Sequence, residues 1–190
     1  MTLLEKYQEK LNTPSDINEL LPYLHEYANK CAGGTIVELG VRTCVASYSF
    51  ISSNAKVVYG YDIERQPEVY ECQHLSKESG KDWRFVEADV LKVEIPECDF
   101  LFIDTFHSAE QLKRELNLHS GKAKRYIGFH DTTTFWETAE TSYQSANNNQ
   151  VDVNEGLKYA IEPFLQNNPQ WKQILRLENN NGLTILERIS

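Results

Sequence analysis

The 190-residue sequence has no basic excess: 19 Lys and Arg stand against 28 Asp and Glu, a formal net charge of −9. Without a basic stripe to neutralise phosphates, nucleic acid is disfavoured as a partner. Long apolar runs are missing too. The longest strongly apolar stretch, Phe100 to Ile103, is far too short to cross a bilayer, so no membrane association is expected. Cysteine is sparse and scattered, with Cys31, Cys44, Cys72 and Cys98 forming no CxxC pair. The opening MTLLEKYQEKL is charged and amphipathic rather than leader-like, so reduced thiols and a cytoplasmic location are expected. Repeats, low-complexity linkers and like-charge blocks are also absent. A 190-residue chain with 41% hydrophobic content fills one core and is short for two, which predicts one domain over 1–190.

What the sequence does contain is alternation. Residues 2–11 read as a short helix, and Ser15 as the N-cap of a second helical stretch in which Pro22 begins a turn and Gly33-Gly34 ends the segment. Five strand-like runs follow: TIVELG (35–40), KVVYGYD (56–62), WRFVEAD (83–89), CDFLFID (98–104) and RYIGFHD (125–131). Their nearly continuous apolar and β-branched character suits a parallel sheet covered by helices on both faces. Residues 132–156 are polar and poorly periodic, which predicts a long lid-like loop. Leu157, Ala160, Ile161, Phe164 and Leu165 then mark one buried helical face. The runs WKQILRLE and LTILERI flank Asn179-Asn180-Asn181-Gly182, a turn that makes them an antiparallel C-terminal hairpin. The expected fold class is therefore α/β, a Rossmann-like, mostly parallel seven-stranded sheet, with residues 1–33 as N-terminal helices.

Glu38 and Gly40 lie where the first strand turns toward a helix. Gly40 permits close backbone approach, an exposed helix amide end would meet a polar ligand, and Ser47 would add a hydroxyl. The dinucleotide fingerprint needs glycines two and five residues after Gly40, where Arg42 and Val45 stand, so NAD is the weaker fit. Asp62 ends the second strand at the spacing of a ribose-binding acid. Asp89, past the third strand, suits either an adenine amino group or a turn cap.

Together VELGVRTCVAS, IDTFH, HDTT and NNGLTILER resemble the small class I methyltransferases grouped with sugar O-methyltransferases and with proteins named cephalosporin hydroxylases, from about Thr35 to the end. The resemblance implies S-adenosylmethionine as cofactor, and Glu38, Gly40, Ser47, Asp62 and Asp89, at the strand ends described above, are the residues expected to hold it. Cys44 departs from it, standing where a small residue is usual, and its side chain is expected to narrow the cofactor pocket.

Asp104, His107, His130 and Asp131 fall at the carboxyl ends of the fourth and fifth strands, where open α/β sheets bind ligands. Two carboxylates and an imidazole suit a hard or borderline divalent cation, Mg²⁺ or Mn²⁺. The resemblance implies Asp104, His130 and Asp131 as ligands and His107 as general base, in keeping with an imidazole that titrates near working pH. Phe106, Phe135 and Trp136 either line an acceptor pocket or pack the core and lid. Lys113, Arg114 and Glu115 read as a solvated helix face, and His25, His74 and His119 as surface or capping residues.

The expected activity is metal-assisted O-methyl transfer to a small hydroxylated acceptor such as a sugar or glycosylated metabolite. The rivals are a non-catalytic adenosyl-ligand binding module and a metal-dependent hydroxylase or hydrolase. The small size also leaves room for a homo-oligomer in which a second subunit completes the acceptor pocket.

Overall fold

Continuous apolar runs make strands that need cover on both faces, and the chain supplies helices to both. A computed structural model describes residues 1–140 and 154–190. Five parallel strands, β1 (Thr35–Leu39), β2 (Val57–Asp62), β3 (Asp82–Glu87), β4 (Cys98–Ile103) and β5 (Ala123–His130), are followed by the hairpin β6 (Trp171–Leu177) and β7 (Leu183–Arg188). The order is β3-β2-β1-β4-β5-β7-β6. β7 runs antiparallel to both neighbours, so six strands share one direction and β7 opposes them. This is the mostly parallel seven-stranded sheet that the sequence predicts.

Successive side chains point to opposite faces of a strand, and two cores result. Ile36, Val58, Phe100, Phe102 and Ile185 pack on one face with residues of α1 (Leu3–Asn12), α2 (Leu21–Lys30), α3 (Ser47–Ile51) and α4 (Glu68–Glu78). Val37, Leu39, Leu101, Ile103 and Phe129 pack on the other with α5 (Ala109–His119) and α6 (Lys158–Asn167). The strand order reverses between β1 and β4, opening a crevice at their carboxyl ends. The Asp104 amide donates to Leu39 O at 2.8 Å across this point, tying the two strand ends together.

Three local expectations are corrected. Ser15 does not cap the second helix: α2 starts at Leu21 after a short 3-10 turn, with no side-chain cap and Pro22 in its first turn. Ser15 instead lies in a segment stapled to the β6–β7 turn, where Asn180 Nδ2 donates to Ser15 O at 2.8 Å and Asn180 Oδ1 accepts from the Glu19 amide at 2.9 Å. Glu115 is fully buried, so 113–115 is not a uniformly solvated face. His119 is also buried, with Nε2 at 2.8 Å from Val90 O.

The hairpin turn uses positive φ at Asn180, Asn181 and Gly182. At Gly182 a Cβ would stand 2.4 Å from the Thr133 amide nitrogen, so the loop after β5 packs against a position open only to glycine. Most of the expected lid, residues 141–153, lies outside the described residues. Its flanks meet in a Thr138–Glu155 bridge.

Candidate active site

A cleft of about 780 Å³ lies over the carboxyl ends of the strands, within the size range of small-molecule sites. Glu38, Gly40, Asp62, Asp89, Asp104, His107 and Asp131 all line it, so most of the sequence-predicted residues share one space.

On the β1–β2 side, the backbone dominates. Gly40 has φ +87°, and a Cβ there would fall 1.9 Å from Asp104 O, so the close approach is made to β4's end. The expected helix end is displaced: α3 begins at Ser47, and 40–46 form a loop. Its amides are organised by Asp62, whose Oδ2 accepts from Val41 N at 2.9 Å and Arg42 N at 2.7 Å. Arg42 and Cys44 take positive φ values of 46° and 61°. In that conformation Cys44 is fully buried in the core beneath the loop rather than lining the cleft, so it does not narrow the pocket as expected. Ser47 is also turned away from the cleft. It is buried and donates to Glu38 Oε2 at 2.6 Å. Glu38 Oε1 has no protein partner, and burial pushes this carboxyl well above its ordinary pKa against the opposing pull of Ser47.

Asp89 makes the turn-capping contacts, accepting from Leu91 N at 2.9 Å and pairing with Lys92 at 2.8 Å, while still lining the cleft. Partial burial raises its pKa, but these two donors outweigh burial and lower it.

The β4–β5 side is a cluster of side chains. Asp131, with φ +59° at the end of β5, and Asp104, at the end of β4, face two imidazoles. His107 Nε2 lies 2.9 Å from Asp131 Oδ2 and 3.3 Å from Asp104 Oδ1. His130 Nδ1 lies 3.2 Å from Asp104 Oδ1 and 3.3 Å from Asp131 Oδ2, while its Nε2 faces Asp16 O and Asn180 O, each at 3.2 Å. His130 is 2% exposed and does not line the cleft. One ligand atom each from Asp104, His107 and Asp131 lies within 4.8 Å of the others, so these three form a group that could hold a metal ion on the cleft side, while His130 approaches the same two carboxylates from its buried position. The donor chemistry fits a cation. Two carboxylates and an imidazole meet, and Asp131 Oδ1 is buried with no protein partner.

Both nitrogens of His107 are engaged, Nδ1 by Glu140 Oε2 at 2.8 Å. Burial works against charge on this ring, but Asp104, Asp131 and Glu140 outweigh it and raise its pKa to about 12. That is far above the near-neutral value expected of a general base, so in the ion-free state His107 is a hydrogen-bond donor to the acids. For Asp104, burial favours the neutral acid, but the two imidazoles win and hold its pKa below the ordinary range.

Phe106 lines the cleft, whereas Phe135 stacks on His107 at 4.9 Å and Arg176 lies 3.7 Å from the Trp136 ring centroid. Glu140 and Asp16 line the cleft and were missed in the sequence. Both sit in aperiodic polar segments, and their only sequence signal is acidity.

No family model matches the chain, and no curated protein matches it. Solved structures do. A magnesium protoporphyrin IX methyltransferase from Synechocystis with bound S-adenosylmethionine is 15% identical, covering 90% of this chain and 77% of its own, with TM-score 0.61. A Staphylococcus aureus protein with a proposed caffeoyl-CoA O-methyltransferase activity is 19% identical, covering 97% and 90%, with TM-score 0.62. An N-methyltransferase from Bradyrhizobium japonicum is 10% identical, covering 92% and 97%, with TM-score 0.63. The fold is therefore the Rossmann-like fold of S-adenosylmethionine-dependent methyltransferases. No helix among the described residues is long and apolar enough to cross a membrane.

Proposed function

We propose that this protein is an S-adenosylmethionine-dependent, divalent-metal-assisted O-methyltransferase acting on a small hydroxylated acceptor such as a sugar or glycosylated metabolite. The observation that carries the proposal is the continuity of the cleft. Glu38, Gly40, Asp62 and Asp89 line one end, and Asp104, His107 and Asp131 the other, of the same space. The cleft is rich in acids, which suits a cofactor bearing ammonium and sulfonium charges and disfavours a pyrophosphate. Glu38 Oε1, buried without a protein partner beside the cleft, leaves one unused hydrogen-bonding position on the cofactor wall.

Asp62 offers a charged acceptor to ribose hydroxyls, and Asp89 an acceptor to the adenine edge. Asp104 and Asp131 would hold the cation. When bound, the cation lowers the proton affinity of an acceptor hydroxyl electrostatically. When bound, S-adenosylmethionine would supply the methyl group, its C–S bond breaking as a C–O bond to the acceptor forms, with S-adenosylhomocysteine and the hydroxyl proton as the leaving products. Phe106 supplies an apolar wall against which a sugar ring can stack.

The test is to measure S-adenosylmethionine binding by calorimetry and S-adenosylhomocysteine release with a panel of polyols, with and without Mg²⁺ or Mn²⁺. Metal-dependent release with one acceptor class is the expected result. No binding of either nucleoside at millimolar concentration overturns the proposal.

A further inference from the structure

His107 is built like a metal ligand. Its Nε2 stands 2.9 and 3.3 Å from oxygens of Asp131 and Asp104. One ligand atom from each of the three residues lies within 4.8 Å of the others, close enough to share one ion. His107 Nδ1 lies 2.8 Å from Glu140 Oε2, and a carboxylate accepting from Nδ1–H orients the ring so that an ion, on binding, takes the place of the Nε2 proton. Phe135 stacks on the ring at an interplanar angle of 7° and fixes its plane.

Independently of this ring, Asp131 is 5% exposed, lines the cleft and leaves Oδ1 without a protein partner. Three carboxylates, Asp104, Asp131 and Glu140, gather around two imidazoles, so even with both rings protonated the cluster keeps a negative excess.

We infer that His107 Nε2 is a direct ligand, alongside Asp104 and Asp131, to a first-row transition-metal ion, with Glu140 as its orienting carboxylate. An imidazole donor shifts selectivity from Mg²⁺, which favours an all-oxygen shell, toward Mn²⁺, Co²⁺ or Zn²⁺. The inference rests on the proposed function for the presence of an ion, but its test needs neither methyl donor nor acceptor. Glu140 is a positioning residue.

The decisive measurement is the electron spin-echo signal of Mn²⁺ added to the metal-stripped wild-type protein, read for ¹⁴N coupling from a bound imidazole. Coupling in the wild type that disappears in His107→Ala is the expected result. Absence of Mn²⁺ binding at millimolar ion, absence of coupling, or coupling that survives His107→Ala each overturns the inference, the last assigning the nitrogen to His130. Calorimetry should show Zn²⁺ binding at least about tenfold tighter than Mg²⁺. Glu140→Ala should weaken Mn²⁺ binding by about 10–100-fold, and Glu140→Gln, whose amide oxygen still accepts from Nδ1, should recover part of the loss. A protein that takes Mn²⁺ through His107 yet transfers no methyl group refutes the proposed function alone. One that methylates with a metal but shows no imidazole coupling refutes this inference alone.

Discussion

The two ends of the cleft are made by different means. At the β1–β2 end the backbone makes the site: Gly40 passes against Asp104 O, Asp62 ties down two loop amides, and Arg42 and Cys44 adopt left-handed φ. At the β4–β5 end, side chains from two strand ends and the segments after them converge on shared oxygens, Asp104 Oδ1 and Asp131 Oδ2. The first end is set by shape and tolerates few substitutions in volume. The second is set by charge, so it should respond to protons and ions.

The largest expected effect comes from breaking the charged end. Asp104→Ala should reduce metal-dependent turnover by about 10²-fold or more, because an ion ligand acting in the transition state is lost. Calorimetry should meanwhile find S-adenosylmethionine affinity nearly unchanged. An equal loss of cofactor binding would show that the two ends are not separable.

Breaking the shape-defined end should cost stability instead. In Gly40→Ala, the new Cβ would overlap Asp104 O, an effect of about 3 kcal/mol or more, since neither backbone can yield without parting β1 from β4. Urea melts will measure it, and a loss below about 1 kcal/mol would mean the loop can re-route.

The charged end also sets how stability depends on pH in the ion-free protein. His107 rises from its ordinary 6.5 to about 12, so its contribution is fully present below pH 6.5 and is lost progressively as pH rises toward 12. Asp104 falls below its ordinary 3.8, so its contribution is present above that value and is lost as pH drops. These two groups should therefore make thermal midpoints fall below about pH 4 and again above about pH 6.5. His107→Gln should flatten the alkaline limb, and an unchanged limb would remove His107 from the account.

Two smaller effects sharpen the contrast. Arg42→Gly should stabilise by up to about 1 kcal/mol by relieving left-handed backbone strain, because the exposed Arg42–Asp16 pair it removes is worth little. Glu115 is held beside Thr105 and Gln111 and pushed by burial up to about 7. Its raised value contributes stability below pH 4.5 that is lost by about pH 7, so Glu115→Gln should reduce the slope of melting temperature between pH 5 and 7. An unaltered slope would place the titration elsewhere.

Much of this architecture was legible in the sequence. Runs such as CDFLFID read as strands because a doubly covered strand is nearly continuous in apolar residues, and the Asn181-Gly182 step marked the hairpin turn. Asp104 and Asp131 stood out because acids end those runs. Cys44 read as narrowing the pocket because the sign of φ, which turns its side chain into the core, is not written in residue type. Ser47 read as a ligand hydroxyl because nothing local shows that Glu38, nine residues away, takes it. His107 read as a base because its titration depends on three acids, two of them 24 and 33 residues further along the chain.

By itself, then, the sequence determined the strands, the helices between them and the acids at their ends, since periodicity and turn chemistry are local. Only the tertiary structure decided which imidazole faces the cleft, which carboxyl orients it and which oxygen is left without a partner. Those outcomes depend on through-space distances of about 3 Å between residues far apart in the chain, and hydrogen-bond and electrostatic energies change steeply on that scale.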